Sequence, residues 1–175
     1  SFDQIEASDI NIFVRASLER KDYALLNELY EKLPDGNQKT KIKIILSILE
    51  NTYLSENFSI NLEANSLNTD PEDYLSDRDL FILSSLRVSL PLPFLSAIEG
   101  KGEGNGFAVK AGDMLLLKTA ARNFSIAETA LRAAIILENT PLNDTGIYDI
   151  IDVLISAGLI GYAKDIAIED FARRL

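Results

Sequence analysis

The sequence predicts an all-α fold: an array of antiparallel helical hairpins, about seven to nine helices, either α-solenoid-like or a compact helical bundle. Three observations carry this. Apolar residues recur at spacings of three and four along most of the 175 residues, which gives a helix one apolar stripe. Short turn signals built from Gly, Pro, Asp and Ser separate the stripes, so successive helices should run antiparallel. The clearest unit, residues 143–175, is a pair of amphipathic stripes broken at Gly158. Neither half of that pair can bury its apolar face without a neighbour to stack on.

Taken in order, Ser8 or Asp9 starts a first helix whose inner positions are Ile10, Phe13, Val14, Ser17 and Leu18. Asp22 caps a second, with Leu26, Leu29, Tyr30 and Leu33 on one stripe and Pro34 as its stop. Pro34-Asp35-Gly36-Asn37 is a turn, because Pro presets φ and Gly supplies φ > 0. A third helix, Gln38 to Tyr53, places Ile42, Ile45, Leu46, Leu49 and Tyr53 inward, with Ile44 and Ile48 widening the face towards contact on two sides. Its β-branched residues leave a strand as the competing reading. Lys39, Lys41 and Lys43 read as its solvated flank.

Residues 54–70 form an irregular connection rich in Ser, Asn and Thr. Thr69-Asp70-Pro71-Glu72 is a helix start, and Ser76 or Asp77 begins a helix carrying Leu80, Phe81, Leu83, Leu86, Val88 and Leu90 up to Pro91 and Pro93. A short helix over Phe94 to Glu99 leads into a Gly-rich loop, residues 100–106. The helix Lys110 to Arg122 should turn Met114, Leu115, Leu117, Lys118 and Ala121 inward. Ser125 caps the next, whose Ala127, Ala130, Leu131, Ala134 and Ile135, with Ala133, Ile136 and Leu137 around them, predict the most buried helix of the chain. After Pro141, Asp144 or Thr145 caps the stripe Ile147, Ile150, Ile151, Leu154 and Ile155. Gly158 turns the chain into Leu159, Tyr162, Ala163, Ile166, Ala167 and Phe171, with Arg173 and Arg174 at the negative end of the helix dipole.

Composition bounds the function. Hydrophobic residues at 47% and charged ones at 25% fit a soluble globular chain, read here as a single all-helical domain over 1–175. No apolar run approaches the ~20 residues of a membrane span. The net charge of −10 opposes nucleic-acid binding. The sequence has no His and no Cys, which removes imidazole acid–base chemistry, thiol nucleophiles, disulfides and ordinary zinc sites. The compartment stays open, cytoplasm and periplasm both being compatible. The chain opens SFDQIEAS and closes on a complete hairpin; as the C-terminal part of a longer helical-repeat protein, its N-terminal face would be an interface.

Four features bear on chemistry. Gly100-Lys101-Gly102-Glu103-Gly104-Asn105-Gly106 lacks the spacing of a phosphate loop, carries Glu103 at its centre and reads as a mobile tether, with a ligand-binding or partner-gripping loop as the alternative. The acids Asp70, Glu72, Asp73, Asp77 and Asp79 lack the Gly and Glu positions of a calcium loop and fit helix starts instead. Tyr23, Tyr30, Tyr53, Tyr74, Tyr148 and Tyr162 read as half-buried packing residues, with a peptide groove as the alternative. Pro91 to Leu95 reads as apolar packing under the loop. Asn57, Asn123 and Asn143 each open a short glycosylation pattern of the kind chance supplies.

The segment Lys21-Asp22-Tyr23-Ala24 with Leu26, Tyr30, Leu33 and Pro34 resembles the second helix of a tetratricopeptide repeat, and Ala157-Gly158 with Tyr162, Ala163 and Ala167 resembles the same turn and helix in tetratricopeptide or pentatricopeptide arrays. Leu26 and Leu33 replace the family's small residues, no Trp-Leu-Gly motif precedes either turn, and the likeness spans about a third of the chain. It implies partner binding and transfers no catalytic residue. The expected function is a non-catalytic protein-protein interaction or scaffolding module that binds a protein or peptide on a helical face, without cofactor or metal. A helical small-molecule or lipid-binding domain and a carboxylate-based enzyme or enzyme subunit are the alternatives.

Overall fold

The computed structural model describes residues 9–50, 75–101 and 104–175. Among these the chain forms nine α-helices and no strand: α1 Ile10–Arg20, α2 Tyr23–Lys32, α3 Asn37–Glu50, α4 Asp77–Ser85, α5 Leu92–Ala97, α6 Ala111–Arg122, α7 Ile126–Asn139, α8 Asp144–Ser156 and α9 Ile160–Arg173. The irregular connection 54–70 and the helix start at Thr69–Glu72 lie outside the described residues.

The α8–α9 hairpin is the centre. Its stripes are buried as their spacing requires: Ile150, Ile151 and Leu154 on α8 and Ala163, Ala167 and Phe171 on α9 are fully enclosed. Helix α4 packs on α8, while α1 and α3 pack on α9, with α2 touching both α1 and α3. The hairpin α6–α7 lies against α8. First and last helices therefore meet, so the array closes on itself instead of running out as an open row. The broad face of α3 is used on two sides, Ile42, Ile44, Ile45 and Ile48 being enclosed between α2 and α9.

Four helices end in the same way. After α1, α4, α6 and α8 a left-handed residue lets two backbone N–H groups turn back onto the last carbonyls, for instance Ser125 N to Ala120 O at 3.0 Å and Leu159 N to Leu154 O at 2.8 Å. Only one of these positions is the Gly the geometry favours, Gly158 at φ 77°. The others are Lys21, Arg87 and Phe124, at φ 55°, 59° and 56°. A cation at a helix C-terminus is favoured by the dipole. Phe124 has no such compensation, and its ring is 87% exposed.

The structure corrects several expectations. Helix α7 buries only Thr129, Ala133 and Ile136, and α8 is the enclosed one, because among the described residues α7 packs mainly on α6 and α8 while α8 is packed by α4, α6, α7 and α9. Leu115 points outward, 64% exposed, since α6 turns Leu117 and Ala120 to α8 and α7. Lys41 is not solvated; it is 6% exposed where α3 meets the end of α9. Asn143, not Asp144 or Thr145, caps α8, its Oδ1 accepting from Gly146 N at 2.8 Å. Ser125 and Asp9 precede their helices without a side-chain cap. Leu92 is 74% exposed at the start of α5, so the Pro91–Leu95 segment is only partly packed, through Phe94.

Candidate functional site

Two places stand out, one ionic and one apolar. The first lies where α3, α4, the start of α8 and the end of α9 converge. Ser76 and Asp79 form a reciprocal cap for α4, the Asp79 carboxylate accepting from both the N–H and the hydroxyl of Ser76 at 2.8 Å. The other oxygen of Asp79 stands 2.6 Å from Arg174 Nη1. Asp170, one turn before Arg174, accepts from Arg174 Nε at 2.8 Å, with Arg174 Nη2 in ion-pair range at 2.6 Å, and from Arg78 through both Nε (3.1 Å) and Nη2 (2.8 Å). Arg78 also donates to Leu142 O at 2.7 Å and reaches Asp144 at 3.4 Å. Lys41 closes the set, donating to Arg174 O at 2.9 Å and lying 3.9 Å from Asp79. Three cations and three carboxylates thus compensate one another.

Burial pulls the Lys41 ammonium below its usual range, against the opposing pull of Asp79. Burial also works against the charge of Arg78, but the hydrogen bonds and charges of Asp170, with Asp144, outweigh it and hold the guanidinium more firmly charged than usual. Above this cluster opens a groove of about 1040 Å³ whose walls include Arg78, Glu138, Asp144, Glu169 and Arg173. The Asp79 and Asp170 carboxylates of the cluster are each held by a guanidinium, which does not release a proton. The chemistry of the cluster is therefore to lock four elements in register.

The sequence candidates fall around this junction unevenly. Asp77 and Asp79 belong to the first turn of α4, Asp77 pairing with Lys101 at 3.1 Å; Asp70, Glu72 and Asp73 lie outside the described residues. Among the described residues no group of three or more acids could hold a metal ion. The end of the Gly-rich loop is not a free tether, although Gly102 and Glu103 lie outside the described residues. Phe107 N donates to Pro141 O at 2.8 Å and Asn143 N to Phe107 O at 3.0 Å, strapping the loop across the start of α8. Gly106, at φ 118°, has room for no side chain, since a Cβ there would stand 2.6 Å from Pro141 O. A Cβ on Gly104 would likewise collide with the Asp144 carboxylate.

The tyrosines do not converge. Tyr30 lies under Lys39, 5.4 Å from ring centre to ammonium, and Tyr148 meets Phe81 edge-on at 6.2 Å. Tyr23 and Tyr162 are exposed on α2 and α9, and Tyr53 and Tyr74 lie outside the described residues. Of the glycosylation patterns, Asn143 is buried as the α8 cap and Asn123 is exposed at the α6–α7 turn; Asn57 lies outside the described residues.

The second place is the outward side of α6–α7. Leu115, Leu116, Leu131 and Ile135 are 64, 48, 61 and 48% exposed, and Phe124 and Ile126, 87 and 58% exposed, stand at the turn. Exposed Ala127 and Ala134 lie between them on α7. The signal in the sequence was that α7 is apolar nearly all round, and that reads as burial until the neighbours are known.

No protein-family model, curated protein or solved structure matches this chain. Among the described residues no helix is long and apolar enough to cross a membrane.

Proposed function

We propose that the chain is a non-catalytic interaction module that binds a protein or peptide on the outward face of α6–α7. One observation carries this reading: six large apolar side chains, each about half exposed or more, on a single hairpin. Large apolar side chains left exposed together on one hairpin of a folded chain are a mark of interaction sites. The resemblance of two segments to tetratricopeptide-like hairpins supports it, since such arrays act by binding partners. The small-molecule alternative gains less, because the groove beside α9 is open and its walls are charged.

The test is a paired capture from source-cell lysate, with the intact chain and Leu131→Glu as baits. Leu131 is exposed, so the variant should keep the helical circular dichroism and unfolding midpoint of the parent. Proteins enriched on the parent and lost on Leu131→Glu support the reading. Equal enrichment on both baits removes the face from consideration.

A further inference from the structure

We propose that Asn105 is a self-modifying site: the Gly106 nitrogen displaces its side-chain amide, and the isoaspartate that results opens the strap between the loop and the start of α8. Sequence and geometry meet at this one pair of residues.

An asparagine closes on the following backbone nitrogen most readily when that residue is glycine, because no Cβ hinders the approach to the amide carbon. Asn105 is the one asparagine in the sequence that precedes a glycine. The strap makes that glycine obligatory: at φ 118°, a Cβ on Gly106 would stand 2.6 Å from Pro141 O and 2.8 Å from Asn143 N. The fold therefore requires, at position 106, the residue that leaves Asn105 unprotected. Both members of the pair are exposed, in a bend outside any helix. Among the described residues no hydrogen bond holds the Asn105 amide or the Gly106 N–H. Other asparagines are guarded. Asn27 and Asn139 lie in α2 and α7 and donate to Tyr23 O and Ile135 O at 3.0 and 2.8 Å. Asn143 is buried, its Oδ1 occupied by Gly146 N. Exposed Asn123 is followed by Phe124, whose side chain crowds the attacking nitrogen.

The Gly106 nitrogen attacks Asn105 Cγ and a new C–N bond forms. The bond from Cγ to the side-chain nitrogen breaks, and that nitrogen leaves as ammonia with the proton given up by Gly106. Water then opens the cyclic imide. Hydrolysis of the new bond gives aspartate with the chain as before. Hydrolysis of the original peptide bond gives isoaspartate, whose main chain runs through Cβ and Cγ. Neither step changes an oxidation state, and water is the only co-reactant.

Both products place a carboxylate in a groove already walled by five carboxylates and three guanidiniums. Gly104, the residue before, lies against the Asp144 carboxylate, so like charges are brought together there. Isoaspartate does more, because it adds one carbon to the main chain immediately before Gly106. The close seat of Gly106 against Pro141, Leu142 and Asn143 leaves no slack for it. The two strap hydrogen bonds begin at the next residue, from Phe107 N to Pro141 O and from Asn143 N to Phe107 O, and they open as Gly106 is displaced.

The purified full chain is aged in warm, mildly alkaline buffer and followed by peptide mass spectrometry. The peptide carrying residue 105 should gain the mass of an amide-to-acid exchange at least ~10-fold faster than any other asparagine among the described residues. Its rate in the folded chain should lie within ~10-fold of that in urea, since nothing in the fold holds the reacting groups. Isomerisation at Asp35-Gly36 leaves the mass unchanged and is thereby told apart. In the isoaspartate form, separated by chromatography, the Phe107 and Asn143 amides should exchange hydrogen more than ~10-fold faster while those of α9 hold. Freshly purified Asn105→Asp adds the charge without the extra carbon and should keep the strap amides within ~10-fold of the parent. Asn105→Gln, whose larger ring closes more slowly, should age with the strap intact. Four results each overturn the proposal: mass gain at Asn105 no faster than elsewhere, a folded rate more than ~10-fold below that in urea, an isoaspartate form with the parent's strap exchange, or an Asn105→Asp strap that opens as far as the isoaspartate one.

Discussion

Asp170→Asn tests what the ionic cluster contributes. The substitution keeps size and shape but leaves Arg78 and Arg174 facing each other across a neutral amide. Removing one partner of a buried ion pair costs about 3–5 kcal/mol. Arg78 keeps Leu142 O and Asp144, Arg174 keeps Asp79, and their side chains are 20% and 24% exposed, so about 3 kcal/mol, the low end, is expected. The comparison lies on the same helix. Glu169 holds Arg173 at 2.7 Å, as short as the pairs of Asp170, but with side chains 72% and 62% exposed. Glu169→Gln should cost less than ~0.5 kcal/mol. Both are read by urea unfolding at pH 7 and one protein concentration, where Asp170→Asn should lower the midpoint without changing the slope. In a thermal melt about 3 kcal/mol corresponds to some 6–12 °C. If Asp170→Asn falls within about 1 kcal/mol of Glu169→Gln, burial adds nothing to these pairs and the account of the junction fails.

Phe124→Gly should stabilise the isolated chain by about 1 kcal/mol, because Gly takes the left-handed conformation without a Cβ clash; a lower melting temperature in dilute solution would contradict it. Gly106→Ala should release the strap, and native-state hydrogen exchange at the Phe107 and Asn143 amides should quicken by more than 10-fold while the α9 amides hold. Asp149 is held above its usual 3.8, first by burial and then by Asp152, with Lys118 opposing. The folded chain thus binds that proton more tightly than the unfolded chain, so stability falls as pH rises from 3.8 through the folded value and stays lower above it. Asp149→Asn should raise stability at pH 7 and remove that part of the decline, seen in melts between about pH 4 and 8; an unchanged profile would count against the burial of this carboxylate.

Much of the fold was legible because local spacing decides it. The stripes of α8 and α9, the stop at Gly158 and the wide face of α3 need only residues within a turn or two of one another. The junction was not legible. Lys41 looked solvated because its partners Asp79 and Arg174 lie 38 and 133 residues away, and periodicity carries no information at that range. Helix α7 failed for the opposite reason. Ala133 and Ile136 face the core while Leu131 and Ile135 do not, yet all four are apolar, and a uniformly apolar helix does not announce which side its neighbours will cover. The exposed apolar side chains were therefore hidden inside the segment expected to be best enclosed.

The reach of that junction also sets an order on synthesis. Helices leave the ribosome from the N-terminus onward, at about 5–20 residues per second. Lys41 and Asp79 emerge long before Asp170 and Arg174, the groups that complete their compensation. Until α9 is released, α1 and α3 also lack the surface they pack on. The nascent chain must therefore hold an open apolar face, with a half-built cluster of charges beside it, until α9 is free. Such a chain is most exposed to misassociation before α9 emerges, and the folding of its N-terminal helices waits on α9.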